Sequence, residues 1–225
     1  MTTILGIDEA GRGSVIGPLV IGGILIDEKD EKKLKELGVK DSKMLSSRQR
    51  EMMYKEIKKI VKDYVTIHIS AKEIDDERKR INLNRIEAEK IAQIIKTLNP
   101  DVAVVDAPQV STDKFKKMLM GMAKNGTKII SENYADKNHA VCSAASIIAK
   151  VERDKEIEKI KIKVGTDFGV GYPHDERTRA FVKSALKEKK FLEHIRHSWI
   201  TVDDLIEENE QQKLKTFLNG NSNNK

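Results

Sequence analysis

Apolar positions along this chain switch between a period of two and a period near four, and the switches outline its elements. Thr3–Asp8 and Leu19–Ile26 are β-prone runs around a glycine-rich connection, which predicts an antiparallel pair of strands. Met52, Met53, Ile57, Ile60 and Val61 share one face of a helix, capped by Ser46 or Ser47 and running to about Lys62. Val65–Ile69 reads as a third strand, and Ala71–Arg80 and Leu83–Leu98 as helices, the second ended by Asn99-Pro100. Val102–Val105 is short and wholly apolar, as a buried parallel strand is, and it runs into Asp106. A helix from Thr112, a turn at Asn125-Gly126, a fifth strand over Thr127–Ser131 and a long helix over His139–Val164 follow. A glycine-rich loop, Gly165–Asp175, leads to the last helices, Glu176–Lys189 and Val202–Leu218, and the polar tail Asn219–Lys225 is expected to be disordered.

The order β-β-α-β-α-α-β-α-β-α predicts a mixed α/β layer protein. Residues 1–175 are expected to form the main domain, 176–218 a C-terminal helical region and 219–225 the tail. Ligands of such sheets gather outside the carboxyl ends of parallel strands, and Asp8 and Asp106 both stand at such ends. The length, 225 residues, suits one substantial domain with or without a small appendage. A net charge of +6 favours a polyanionic partner. The single cysteine, Cys142, excludes an internal disulfide and a cysteine-based zinc site, and a reducing cytoplasm is the simple inference. Cys142 itself is expected as a buried core thiol. Met1-Thr2-Thr3 has no basic region and enters a strand, so no signal peptide is expected. The longest apolar run, Pro18 to Ile26, is too short to span a bilayer.

The candidate chemistry is acidic. Residues 4–13 read I-L-G-I-D-E-A-G-R-G, delivering Asp8 and Glu9 to a strand end beside Gly11, Arg12 and Gly13. Two carboxylates there are costly to bury unless they hold a metal or meet cations. Asp106 reads as a turn former or as a functional acid, and Asp136 as a cap of the long helix or as another such acid. All three positions fall at one edge of the predicted sheet, and carboxylates without His or Cys suit a hard cation, Mg²⁺ or Mn²⁺. Two such ions can activate a water and stabilise a leaving oxygen in phosphodiester cleavage. Adjacent strand residues face opposite ways, so Asp8 and Glu9 share a site only if the strand ends between them.

These motifs resemble a known family. G-I-D-E-A-G-R-G, I-G-P-L-V, D-S-K-x-L at Asp41–Leu45, V-V-D-A-P at Val104–Pro108, the run A-D…S-A-A-S-I-I-A-K-V-x-R-D from Ala135 to Asp154, and G-Y-P at Gly171–Pro173 are similar to ribonuclease HII of archaeal type. The match covers roughly residues 4 to 200 in order. Ser14, where the family usually has proline, and Glu176 depart from it. The resemblance implies a ribonuclease-H-like fold, a mixed five-stranded sheet flanked by helices with a helical C-terminal extension. It implies cleavage of the RNA strand of RNA/DNA hybrids, and incision at ribonucleotides embedded in duplex DNA, leaving 3′-hydroxyl and 5′-phosphate ends. Its four metal-binding carboxylates fall on Asp8, Glu9, Asp106 and Asp136, its 2′-hydroxyl-sensing loop on Gly11, Arg12 and Gly13, and its sugar-contacting tyrosine on Tyr172.

Ser42 and Lys43, in D-S-K, are candidate phosphate contacts. Ser143, Ser146 and Lys150 share a helix face that either meets phosphate or allows close helix–sheet packing. Trp199 is expected to pack the C-terminal helices onto the domain, and the histidines to serve surface or capping roles. A monomer without membrane contact is expected, with a sliding clamp as an open partner. Competing readings are another nuclease or integrase of the same fold, which lacks G-R-G and G-Y-P, and a non-catalytic hybrid-binding module, against which the intact acidic set argues. Ribonuclease HIII is disfavoured, since that relative carries an N-terminal extension and nothing precedes the first motif here.

Overall fold

The computed structural model describes residues 1–39, 45–108, 111–208 and 210–211. In chain order these form β1 (Thr3–Ala10), β2 (Leu19–Asp27), α1 (Glu31–Glu36), α2 (Ser47–Ile60), β3 (Asp63–Ile69), α3 (Ala71–Arg78), α4 (Leu83–Leu98), β4 (Val102–Asp106), α5 (Thr112–Ala123), β5 (Lys128–Glu132), α6 (Ala135–Asn138), α7 (Ala140–Val164) and α8 (Glu176–Glu188). A further helical stretch covers 200–208. The tail 219–225 and the end of the expected last helix lie outside the described residues.

The strands form one sheet in the order β3-β2-β1-β4-β5. β1 pairs antiparallel with β2, β2 with β3, and β1, β4 and β5 run parallel. This is the mixed five-stranded sheet that the residue pattern predicts. Alternation along β1 sends Leu5 and Ile7 to one face, where they pack with Ile86, Ile91, Ile94 and Phe115 of α4 and α5. On the other face Val104, Ile24 and Ile26 pack against Val141, Ala144, Ala145 and Ile148 of α7.

Three elements differ from expectation. β1 continues through Glu9 and Ala10, because its ladder with β2 extends to the pairs Glu9–Ile21 and Ala10–Val20. The acidic pair therefore straddles the sheet, and the strand end expected between the two acids is absent. α1 carries one buried apolar residue, Leu34, too few to create a periodic signal. α6 precedes the long helix, and His139 rather than Asp136 occupies the N-cap position of α7. Elsewhere local chemistry decides the boundaries as expected: Ser46 and Gln49 form a capping box at the start of α2.

α7 lies close against β1 and β2 because small residues line the contact. A Cβ on Gly6 would fall within the Val141 peptide group, and one on Gly22 would stand 2.9 Å from the Ala145 carbonyl oxygen. Val15 and Ile16, next to the first loop, share a third apolar cluster with Ile157, Phe168, Val182, Ile195, Val202 and Leu205. This cluster crosses the boundary expected at residue 175 and joins the chain after it to the sheet domain.

Gly6→Ala should force α7 off the sheet and cost roughly 1–3 kcal/mol, the usual range for overpacking. A melting curve checks this; an unchanged midpoint would show that the helix has room to move.

Candidate active site

The site begins with strand register. Ile7 of β1 aligns with Val105 of β4, so the next pair brings Asp8 level with Asp106 at the carboxyl end of two parallel strands. β5 returns beside β4, and the chain turns through Tyr134 in the left-handed region (φ 60°) into α6. That turn presents the Ala135 amide, which donates to Asp106 Oδ1 at 3.1 Å. Asp136 follows directly. Asp8, Asp106 and Asp136 each place an oxygen within 4.8 Å of the other two.

The N-terminal part of α7 underpins this cluster. Ser143 donates its hydroxyl to the Asp136 carbonyl oxygen. Ser146 bonds Asp8, and Lys150 Nζ donates to Ser146 Oγ at 2.7 Å. Ser143 and Ser146 are buried where α7 packs on the sheet. Lys150 is half-buried. Burial pushes the Asp8 carboxyl from 3.8 up to about 7, with the Ser146 bond opposing, Asp106 adding and Lys150 opposing.

Glu9 lies outside the three-acid set, on the α4 face of the sheet. Burial raises its carboxyl, and the charges of Asp8, Glu87 and Asp106 add to the rise while Arg12 opposes it. The Arg12 side chain turns toward α4. Its Nε donates to Glu87 Oε1 at 2.8 Å and its Nη2 to Asn84 Oδ1 at 2.7 Å, both on α4. Glu87 is 2% exposed, and burial lifts it to about 7 despite Arg12. It was missed from sequence, yet a signal exists: Leu83, Glu87, Ile91, Ile94 and Leu98 fall on one helical stripe, and a lone charge there needs a partner.

Around the G-R-G loop, Gly11 (φ 86°) lets the Arg153 side chain pass where a Cβ would stand, whereas Gly13 is exposed with open space at its Cβ position. Among the described residues, the Arg12 and Gly13 amides meet no acceptor. The Gly171 carbonyl accepts from the amides of Val15 (2.9 Å) and Ile16 (3.1 Å), which couples the G-R-G and G-Y-P loops. Tyr172 is half-buried; the Arg153 guanidinium lies 4.7 Å from its ring centre and the His174 ring 5.7 Å away. Arg153 and Arg196 are both buried; Arg153 stands in the K-V-x-R-D run but carried no assigned role from sequence, and a single arginine at either place disturbs no apolar period. Trp199 packs between the Arg78 and Arg196 guanidiniums, and Cys142 is a buried thiol donating to the Val104 carbonyl, as expected of both. Ser42 and Lys43 lie outside the described residues. No helix among the described residues is long and apolar enough to cross a membrane.

The strand order and the carboxylate cluster at the ends of β1 and β4 define the ribonuclease-H-like class. Within that class, the ribonuclease HII family model matches residues 5–202. A ribonuclease HII of Methanosphaera stadtmanae is 44% identical, the alignment covering 92% of this chain and 96% of the relative. The crystal structure of ribonuclease H2 from Pyrococcus horikoshii superposes with a TM-score of 0.85 at 40% identity, covering 92% of this chain and 98% of that one. The ribonuclease HII of Archaeoglobus fulgidus, solved in a PCNA complex, gives 0.82 at 40% identity over 88% of this chain and 95% of its own. The chain belongs to the ribonuclease HII family and is an endoribonuclease of ribonuclease H type 2.

A carboxyl raised in the folded state stabilises it below its unfolded value, and that stability is lost as pH rises through the folded value. For Asp8 this window runs from 3.8 to about 7. In chelator, Asp8→Asn should therefore melt several degrees above wild type at about pH 8 and no higher at about pH 4. Equal differences at both pH values would place the rise elsewhere.

Proposed function

We propose that this chain cleaves the RNA strand of RNA/DNA hybrids and incises duplex DNA at embedded ribonucleotides, leaving 3′-hydroxyl and 5′-phosphate ends. The observation that carries this reading is a three-acid cluster at a sheet edge, Asp8 and Asp136 buried and Asp106 half-buried, whose first strand leads into a loop with two unengaged amides, that of Gly13 on an exposed residue. The donor set is all carboxylate oxygen, and burial, with the Asp106 charge adding, raises Asp8, so the set fits hard divalent ions. In this reading Asp8, Asp106 and Asp136 hold Mg²⁺ or Mn²⁺, and Glu9 contributes from the other face of β1, where its carboxyl already feels Asp8 and Asp106. When bound, a pair of such ions supplies Lewis acidity at the scissile phosphate and lowers the pKa of water.

The chain's own residues do the rest. The Ala135 amide fixes the Asp106 carboxylate, and Ser146 with Lys150 fixes Asp8. Lys150 also brings a positive charge to a site that must admit a phosphodiester. The Gly11–Gly13 backbone reads the 2′-hydroxyl, which separates RNA from DNA. Tyr172, oriented by Arg153, sets its ring against the sugar beside the cut. The relative solved with PCNA supports a sliding clamp as a partner. In this reading the enzyme acts as a monomer in the cytoplasm, away from membranes.

Asp106→Asn keeps the shape and removes a charge, so cleavage of a duplex with one ribonucleotide should fall by orders of magnitude while hybrid binding persists. Near-normal turnover at saturating Mg²⁺ would take Asp106 out of the reaction. Tyr172→Phe should lose little and Tyr172→Ala much, since a ring on a sugar contributes through area and shape. Cleavage rates at equal folded concentration decide this; equal rates for all three proteins would free Tyr172 of the role.

A further inference from the structure

We propose that Arg196, assisted by Ser14, is a positioning residue that turns two consecutive peptide groups so their amides donate to the substrate's ribose 2′-hydroxyl. The inference rests on the function proposed above and adds the residues that confer its sugar selectivity. In a trans peptide the carbonyl of one residue and the amide of the next point in opposite directions, and no peptide among the described residues is cis. The carbonyl of Arg12 is held inward by Arg196 Nη1 at 2.9 Å, so the Gly13 amide is aimed the other way. The carbonyl of Gly11 is held by the Ser14 hydroxyl at 2.9 Å and the Ser14 amide at 3.3 Å, so the Arg12 amide is likewise turned outward. Neither amide meets an acceptor among the described residues, and Gly13 is exposed with no atom within 4 Å of its Cβ position. Successive free amides of this kind make an anion- or oxygen-binding concavity.

Arg196 is suited to this task and costly for any simpler one. It is 0% exposed and has no ion pair among the described residues. Its Nε and Nη2 both donate to the Gly17 carbonyl, at 3.1 and 3.0 Å, and its amide donates to the Val15 carbonyl at 2.9 Å. One planar group thus fixes both ends of the loop, which a lysine cannot do. Ile195, Val202 and Leu205 already bind this segment to Val15 and Ile16 through apolar contact, so adhesion alone does not require a buried cation. Burial and the charge of Arg153 depress the guanidinium to about 9, a sign of how much the site sacrifices to keep it. Ser14 supplies both bonds to the Gly11 carbonyl, and a proline at that place would have neither the hydroxyl nor the amide that makes them.

The test compares full-length wild type, Arg196→Lys and Ser14→Ala on two duplexes, identical except for one ribonucleotide. Binding is measured with Ca²⁺ and cleavage with Mg²⁺. Losing one oriented hydrogen bond should reduce the preference for the ribonucleotide duplex about tenfold in Arg196→Lys, less in Ser14→Ala, with all-DNA affinity unchanged. A lower melting temperature with an intact preference would leave Arg196 as a fold residue and overturn the proposal. If Arg196→Lys does not fold, the Gly13 amide resonance is followed instead in Asp106→Asn. It should shift with the ribonucleotide duplex and stay in place with the all-DNA duplex; the same response to both duplexes also overturns the proposal. A wild type that neither cleaves nor prefers the ribonucleotide duplex would instead refute the function on which the proposal rests.

Discussion

The close seating of α7 on β1 and β2 is the constraint on which the site depends. With no side chains at Gly6 and Gly22, the helix backbone comes within contact of the sheet. Only at that distance can Ser146 reach Asp8, and only then does Ser143 anchor the Asp136 carbonyl. The S-A-A-S run is thus small for packing reasons, and its hydroxyls are directed into the site from beneath.

That seating produces an electrostatic problem on both faces of β1. On the α7 face three carboxylates share a small volume, relieved within the protein by Ser146 and Lys150. On the α4 face Glu9 feels the charge of Glu87, and Arg12 opposes the rise of both. Burial raises Asp8, Glu9 and Glu87, and neighbouring carboxylates raise Asp8 and Glu9 further, so a divalent ion at the three-acid cluster would favour the ionised form of Asp8. Arg12 divides its groups: its guanidinium bonds Glu87 and Asn84 of α4, its carbonyl accepts from Arg196, and its amide meets no acceptor among the described residues.

The chain after residue 175 is part of this arrangement. The cluster around Ile16, Phe168 and Ile195 closes over the first loop, and the Gly17 amide donates to the His194 carbonyl at 2.9 Å. Segments more than 170 residues apart in sequence therefore shape a single turn of backbone, as the Arg196–Gly17 bonds do.

The sequence by itself determined the strands, the main helices, the mixed sheet and the place of Asp8, Asp106 and Asp136 at its edge. These rest on local signals: apolar periodicity, capping residues, and strands ending in an acid. It also carried the family, because ordered motifs survive without knowledge of contacts. It did not reveal that β1 runs on past Glu9, since a ladder with β2 outweighs the local cost of an acidic pair. It did not reveal the direction of Arg12, the burial of Ser143 and Ser146, or the burial and partners of Glu87, Arg153 and Arg196. Those were decided by tertiary structure, because a hydrogen bond between distant residues leaves no period in the chain. Whether a polar side chain faces water or a buried partner is set only when helix, sheet and loop close on one another.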